Sequence, residues 1–146
     1  MLPKVHAHMA AHGLDLAKLA IVPNGISPDD WLAAPAALRD DVQQALDGAK
    51  AAGDTVVGYA GSMGEPNALD TLLDVAALLR DAPLRFVLVG DGHLRQHLAS
   101  RMAVEGLTNV ALLAPVPKAQ VPSLLAQLDI GRVWRVAEGL ESGMVG

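Results

Sequence analysis

Two rhythms of apolar residues alternate along this chain, and the change from one to the other falls at glycine and proline. From Thr55 onward, short runs of Val, Leu and Phe give way to longer stretches with an apolar residue every three or four positions. The pattern predicts strands over 56–60, 85–89 and 109–113, and helices over 66–80, 93–105 and 118–127. Strands separated by helices join through right-handed crossovers and so form a parallel sheet. In the first of these helices Leu69, Leu72, Leu73, Ala76 and Leu79 share one face, while Asp70, Asp74 and Arg80 turn outward. That leucine stripe is expected to pack on the sheet.

Upstream the pattern is looser. A helix over 3–13 ends at Gly13, a short strand over 19–22 is broken by Pro23-Asn24-Gly25, and turn residues surround Trp31. A surface helix over 35–52 follows, closed by Gly53. The boundary is expected in this region, with residues 1–30 as the end of one domain plus a hinge and 31–146 as the main domain. After Asp129 neither template fits, and no element is assigned. The fold expected from this pattern is α/β with a parallel sheet.

Composition supports that layering. Of 146 residues 51% are hydrophobic but only 3% aromatic, so the core must be built from Ala, Leu and Val. Eleven Lys and Arg are scattered against sixteen Asp and Glu, giving a net charge of -5, which argues against a nucleic-acid partner. With no cysteine there is no disulfide framework or thiolate site. The apolar runs are too short to span a membrane and no secretory signal is evident, so a cytoplasmic location is expected.

Candidate chemistry lies where strands meet helices. In "TVVGYAGSMGEPNALDTLL" the strand runs into Gly61-Ser62-Met63-Gly64, and in "FVLVGDGHLRQHL" it ends in Gly90-Asp91-Gly92. Ligands of open parallel sheets bind beyond the carboxyl ends of the strands, where glycines admit close backbone approach and helix N-termini favour anions. Gly61, Gly64 and the Ser62 hydroxyl therefore suit a phosphate or diphosphate. The same turn is equally compatible with a tight left-handed turn in which Glu65 serves the helix dipole. Asp91 suits a ribose hydroxyl or a cap on the helix at His93.

His8/His12 and His93/His97 are each spaced i, i+4, but neither pair has a third ligand or the acid of H-E-x-x-H, so no metal site is assigned. His93 alone could touch a phosphate. Neither a G-x-S-x-G elbow nor a P-loop is present.

Four strings in order, "IVPNGI", "GYAGSMGEPNALDTLLDVAALL", "RFVLVGDGHLRQHL" and "LTNVALLAPVPKAQVPSLLAQLDI", resemble the carboxyl-terminal half of a GT-B glycosyltransferase of the family 4 type, nearest the branch that builds bacterial surface polysaccharides. The resemblance implies an incomplete Rossmann-like parallel sheet with helices on both faces, a nucleotide-sugar donor as co-substrate with no further cofactor, and a carbohydrate or lipid-linked acceptor held by an N-terminal domain. It also implies peripheral membrane association of the full-length enzyme. Carried over by position, Gly61, Ser62 and Gly64 fall at the donor diphosphate and Gly90 and Asp91 at the nucleotide cleft. Val116, Pro117 and Lys118 fall at the loop that meets the base, and Asn24 and Gly25 at the interdomain turn.

Departures accompany the match. Many members carry an Arg after the first glycine and a Lys a few residues later, where this chain has Ser62 and Asn67. Of the E-x7-E motif, Glu138 matches the first acid, and the place of the second holds Gly146. A truncated donor-binding module is therefore expected, with no catalytic residue assigned. A dinucleotide-binding oxidoreductase domain and a non-catalytic remnant remain as alternatives.

Overall fold

A computed structural model of the chain describes residues 5–20 and 36–131. The expected roles of Asn24, Gly25, Trp31 and Glu138 fall outside the described residues. The chain divides into two compact units, Met1–Ala33 and Ala34–Gly146.

In the first unit, helix α1 (Val5–Ala11) stops two residues before Gly13. Asp15 then caps a single 3-10 turn, Leu16–Lys18, by accepting from the Ala17 N–H at 3.0 Å. Leu19 and Ala20, expected to open a strand, belong to no element.

The second unit is built on four parallel strands: β1 (Thr55–Ser62), β2 (Leu84–Asp91), β3 (Val110–Leu113) and β4 (Ile130–Gly131), in the spatial order β3-β2-β1-β4. Helices α2 (Asp40–Ala52), α3 (Leu69–Leu78), α4 (Arg95–Glu105) and α5 (Val121–Leu125) connect and cover them. The chain steps from β1 to β2 to β3 in one direction and then returns past β1 to β4. This is the parallel α/β sheet expected from the pattern and the Rossmann-like architecture implied by the resemblance, and the return creates the switch in winding where such sheets bind ligands.

Side chains of the strands alternate between two cores because successive residues point to opposite faces. Tyr59, Phe86 and Leu88 join Leu69, Leu72, Leu73 and Ala76 of α3 and Leu98 of α4 on one face. Val56, Val87 and Val89 join Val42, Leu46 and Ala49 of α2 and Leu124 of α5 on the other. Gly58 of β1 lies under Leu128, whose Cδ1 would stand 2.2 Å from a Cβ there.

The boundaries differ from the expected ones for local reasons. The helix expected over 66–80 begins only at Leu69, because Glu65–Asn67 form one 3-10 turn and Ala68 adopts φ 45°. Leu79 ends it and is 37% exposed, so it leaves the buried stripe. The helix expected from 35 begins at Asp40: Leu38 is buried in the core and Arg39 is extended at φ -61°, ψ 142°. The helix expected from His93 begins at Arg95, since the Leu94 N–H is turned back to the Met63 carbonyl at 3.1 Å. The helix expected over 118–127 splits into a 3-10 turn, Lys118–Gln120, and the short α5.

Candidate functional site

The carboxyl ends of β1, β2 and β3 open into a cleft of about 370 Å³. Its walls are Ala60, Gly61 and Ser62 of β1, Val89, Gly90 and Asp91 of β2, Pro115 and Val116 after β3, and Val121 opening α5. The volume falls within the range of small-molecule sites. Among these residues there is no Lys, Arg or His.

Gly61 and Ser62 are strand rather than turn, pairing in register with Gly90 and Asp91. Gly64 is extended at φ -124°, ψ 165°, and the left-handed residue of the segment is Ala68. The tight glycine turn expected at 61–64 is therefore an extension of the sheet followed by a separate turn at 65–68.

What the glycines provide is close approach. A Cβ on Gly90 would stand 1.8 Å from the Gly61 carbonyl oxygen, and one on Gly92 would stand 2.5 Å from that of Met63. The two strand ends are locked together by hydrogen bonds from the Met63 N–H to the Asp91 carbonyl (2.8 Å) and from the Leu94 N–H to the Met63 carbonyl (3.1 Å). At the rim, the Tyr59 hydroxyl and the Asn67 side-chain amide both donate to the Ser62 carbonyl, each at 2.6 Å. Tyr59 is buried, which pushes its phenol above the ordinary value and keeps it a donor.

Asp91 does not cap α4: its Oδ1 accepts from the Gly92 N–H at 2.8 Å, and the helix has Leu94 at its cap without a side-chain bond. One carboxylate of the cleft is thus oriented by backbone and retains acceptor capacity for a hydroxyl. Gly64, Pro117 and Lys118 stand outside the wall. Gly64 lies beside His93, whose Cε1 is 3.4 Å from the Cβ position; Pro117 precedes the 3-10 turn that Lys118 begins. Glu65 is also outside, 83% exposed, with Oε1 3.9 Å from His93 Nε2.

The histidine pairs take other partners. His8 and His12 have ring centroids 4.3 Å apart, and His12 Nδ1 lies 2.8 Å from the His8 carbonyl oxygen. His97 Nε2 lies 3.0 Å from Asp70 Oδ1. Among the described residues no three His, Asp or Glu side chains gather as a metal site, and no helix is long and apolar enough to cross a membrane.

The family described as glycosyl transferases group 1 matches residues 54–144, more than half of the chain. The chain belongs to that family. Two solved structures of HepE from Anabaena, one in complex with UDP and glucose and one with UDP-glucose, superpose with TM-scores of 0.62 at 18% and 19% identity. Both cover 86% of this chain, which in turn spans about a third (34%) of the HepE chain. A structure of TarM covers 53% of this chain and 16% of its own at 23% identity, with a TM-score of 0.48. No curated protein sequence matches this one. The HepE likeness gives the fold alone, a Rossmann-like parallel α/β sheet.

Of the wall, sequence pattern singled out Gly61, Ser62, Gly90 and Asp91 and the family resemblance added Val116, while Ala60, Val89, Pro115 and Val121 were missed. Pro115 and Val121 carry no local signal of a site; they reach the cleft only because β3 lies beside β2.

Proposed function

We propose that this chain is the donor-binding part of a glycosyltransferase of the family 4 type, of the branch that builds bacterial surface polysaccharides. The observation that carries the reading is the cleft itself, lying at the ends of three parallel strands in a chain of the glycosyl transferases group 1 family. In this reading a nucleotide sugar lies along the cleft, with its diphosphate at Gly61 and Ser62 and its ribose hydroxyls toward Asp91. The nucleoside meets the loop at Pro115 and Val116. UDP-sugars are the first candidates, since UDP and UDP-glucose are the ligands of the HepE structures.

The complete enzyme transfers the hexosyl group to a carbohydrate or lipid-linked acceptor. The bond from the anomeric carbon to the diphosphate oxygen breaks, the acceptor hydroxyl oxygen bonds to that carbon, and its proton goes to the departing diphosphate. With no cation in the wall, stabilisation of that leaving group falls to backbone N–H groups and the Ser62 hydroxyl. Closure of the acceptor domain over the donor would exclude water and favour transfer over hydrolysis.

The test is saturation-transfer NMR of the purified chain against UDP-, GDP- and ADP-sugars with NAD alongside. Transfer to one nucleotide sugar, reduced by Gly61→Val, is the expected result. A response to NAD alone would assign the chain to dinucleotide binding, and silence toward every ligand from a folded chain would overturn the reading.

A further inference from the structure

We infer that Arg39, far from the cleft in sequence and outside its wall, is a positioning residue that sets the nucleoside end of the site; this rests on the donor-binding reading above. The loop that forms this wall begins where the ladder between β2 and β3 ends, at the Val89–Leu113 pair. Continued strand pairing cannot hold it, and Pro115 has no N–H to contribute. Arg39 supplies the hold instead. Its Nη1 donates to the Pro115 carbonyl at 2.9 Å and its Nη2 to the Ala114 carbonyl at 3.1 Å. A planar guanidinium grips two consecutive carbonyls in a single orientation.

The guanidinium is itself fixed. Arg39 Nε and Nη2 donate to the two carboxylate oxygens of Asp41 at 2.5 and 2.9 Å, a bidentate pair at the start of α2. Asp41 is anchored in turn, accepting from the Val42 N–H at 2.9 Å. The chain of contacts runs from the first turn of α2 through Asp41 and Arg39 to Ala114 and Pro115, and so to Val116, which lines the cleft and packs on the α2 and α5 core. The two carbonyls are thereby engaged by Arg39, which fixes the peptide planes of the wall that the nucleoside would meet.

The experiment compares the 146-residue chain with Arg39→Met and Arg39→Lys, measuring affinity for UDP, uridine and pyrophosphate separately, with thermal unfolding alongside. Arg39→Met should weaken UDP and uridine about tenfold and leave pyrophosphate and the unfolding midpoint unchanged. Arg39→Lys, with a point charge in place of the fork, should recover only part of the loss. Equal weakening of all three ligands together with a lowered midpoint would mean that Arg39 serves only the fold, and no change in any would overturn the inference outright. Should the parent chain bind none of the nucleotides, the donor-binding reading fails on its own. The carbonyl 13C shifts of Ala114 and Pro115 then decide the positioning role: movement in Arg39→Met supports it, and unchanged shifts overturn it.

Discussion

Gly90, in the cleft wall, and Ala68, at the head of α3, carry backbone constraints of opposite kinds. Gly90 has a hydrogen where any other residue would place a carbon 1.8 Å from the Gly61 carbonyl oxygen. Because that oxygen belongs to a paired strand, relief requires the two strand ends to part. Gly90→Ala should therefore cost about 3 kcal/mol of stability, measured by denaturant unfolding. Gly61→Ala meets the Tyr59 hydroxyl at 2.9 Å and its Cζ at 3.2 Å, side-chain atoms rather than paired backbone, and should cost less, about 1 kcal/mol for the weakened bond to Ser62. Equal losses in the two variants would refute this account of the strand ends. Ala68, at φ 45°, bears a left-handed penalty of about 1–2 kcal/mol. Ala68→Gly removes it against an entropic loss of about 0.4–1 kcal/mol in the unfolded chain. A net gain of about 0.5 kcal/mol is expected, read as a small rise in melting temperature; a fall would show that packing of the alanine methyl outweighs the backbone penalty.

At the scale of elements, α3 and α4 are tied by a charged network outside the leucine stripe. Arg101 donates to the Asp70 carbonyl at 2.9 Å, to Asp70 Oδ1 at 3.1 Å, to Glu105 at 2.6 Å and to Asp74. Burial alone would raise the Asp70 carboxyl, but hydrogen bonds from His97 and Arg101 outweigh it and hold the group below the ordinary value of 3.8. A depressed folded value contributes stability that is fully present above 3.8 and is lost as pH falls below it. Arg101→Met leaves three carboxylates facing one another and should cost about 1–2 kcal/mol at pH 7. Below 3.8, where the Asp70 carboxyl takes up its proton, the part of that cost carried by Asp70 should shrink; an equal loss at pH 7 and pH 3 would mean that Arg101 acts without the Asp70 charge, through packing and its bond to the Asp70 carbonyl. The alternation of elements was legible because strand and helix periods differ within a few residues. This network was not, since outward polar positions on α3 and α4 say nothing of each other until the sheet places the helices side by side. The two-residue strand β4 was hidden for the same reason, existing only by pairing with Val57 and Gly58 of β1. The candidate site was legible where glycine marks close approach, as at Gly61 and Gly90. It was not legible where a wall or a brace is made at long range, as by Pro115, Val121 and Arg39.

For the whole molecule, the decisive quantity is the sign of the field an anionic ligand meets. The chain carries a net charge of -5, and the cleft wall among the described residues contains Asp91 but no cation. A site that clamps a diphosphate with Arg or Lys loses affinity as salt screens the attraction, over a Debye length of about 10 Å at 0.1 M. Here the net charge has the ligand's own sign, the Arg39 charge behind Pro115 is paired with Asp41, and backbone N–H groups and a hydroxyl act only at contact distance. Raising salt should screen repulsion rather than attraction. The affinity for UDP, followed by calorimetry between 50 and 300 mM sodium chloride, should stay level or rise by less than about twofold. A steep fall with salt would sink this account, because it would require a cation reaching the ligand from residues beyond the described wall. In that case Ser62→Arg would add little to affinity. If the level profile holds, the same substitution should strengthen UDP binding and create a salt dependence where there was none, since it places a single positive charge at the end of β1 facing Gly90 and Asp91.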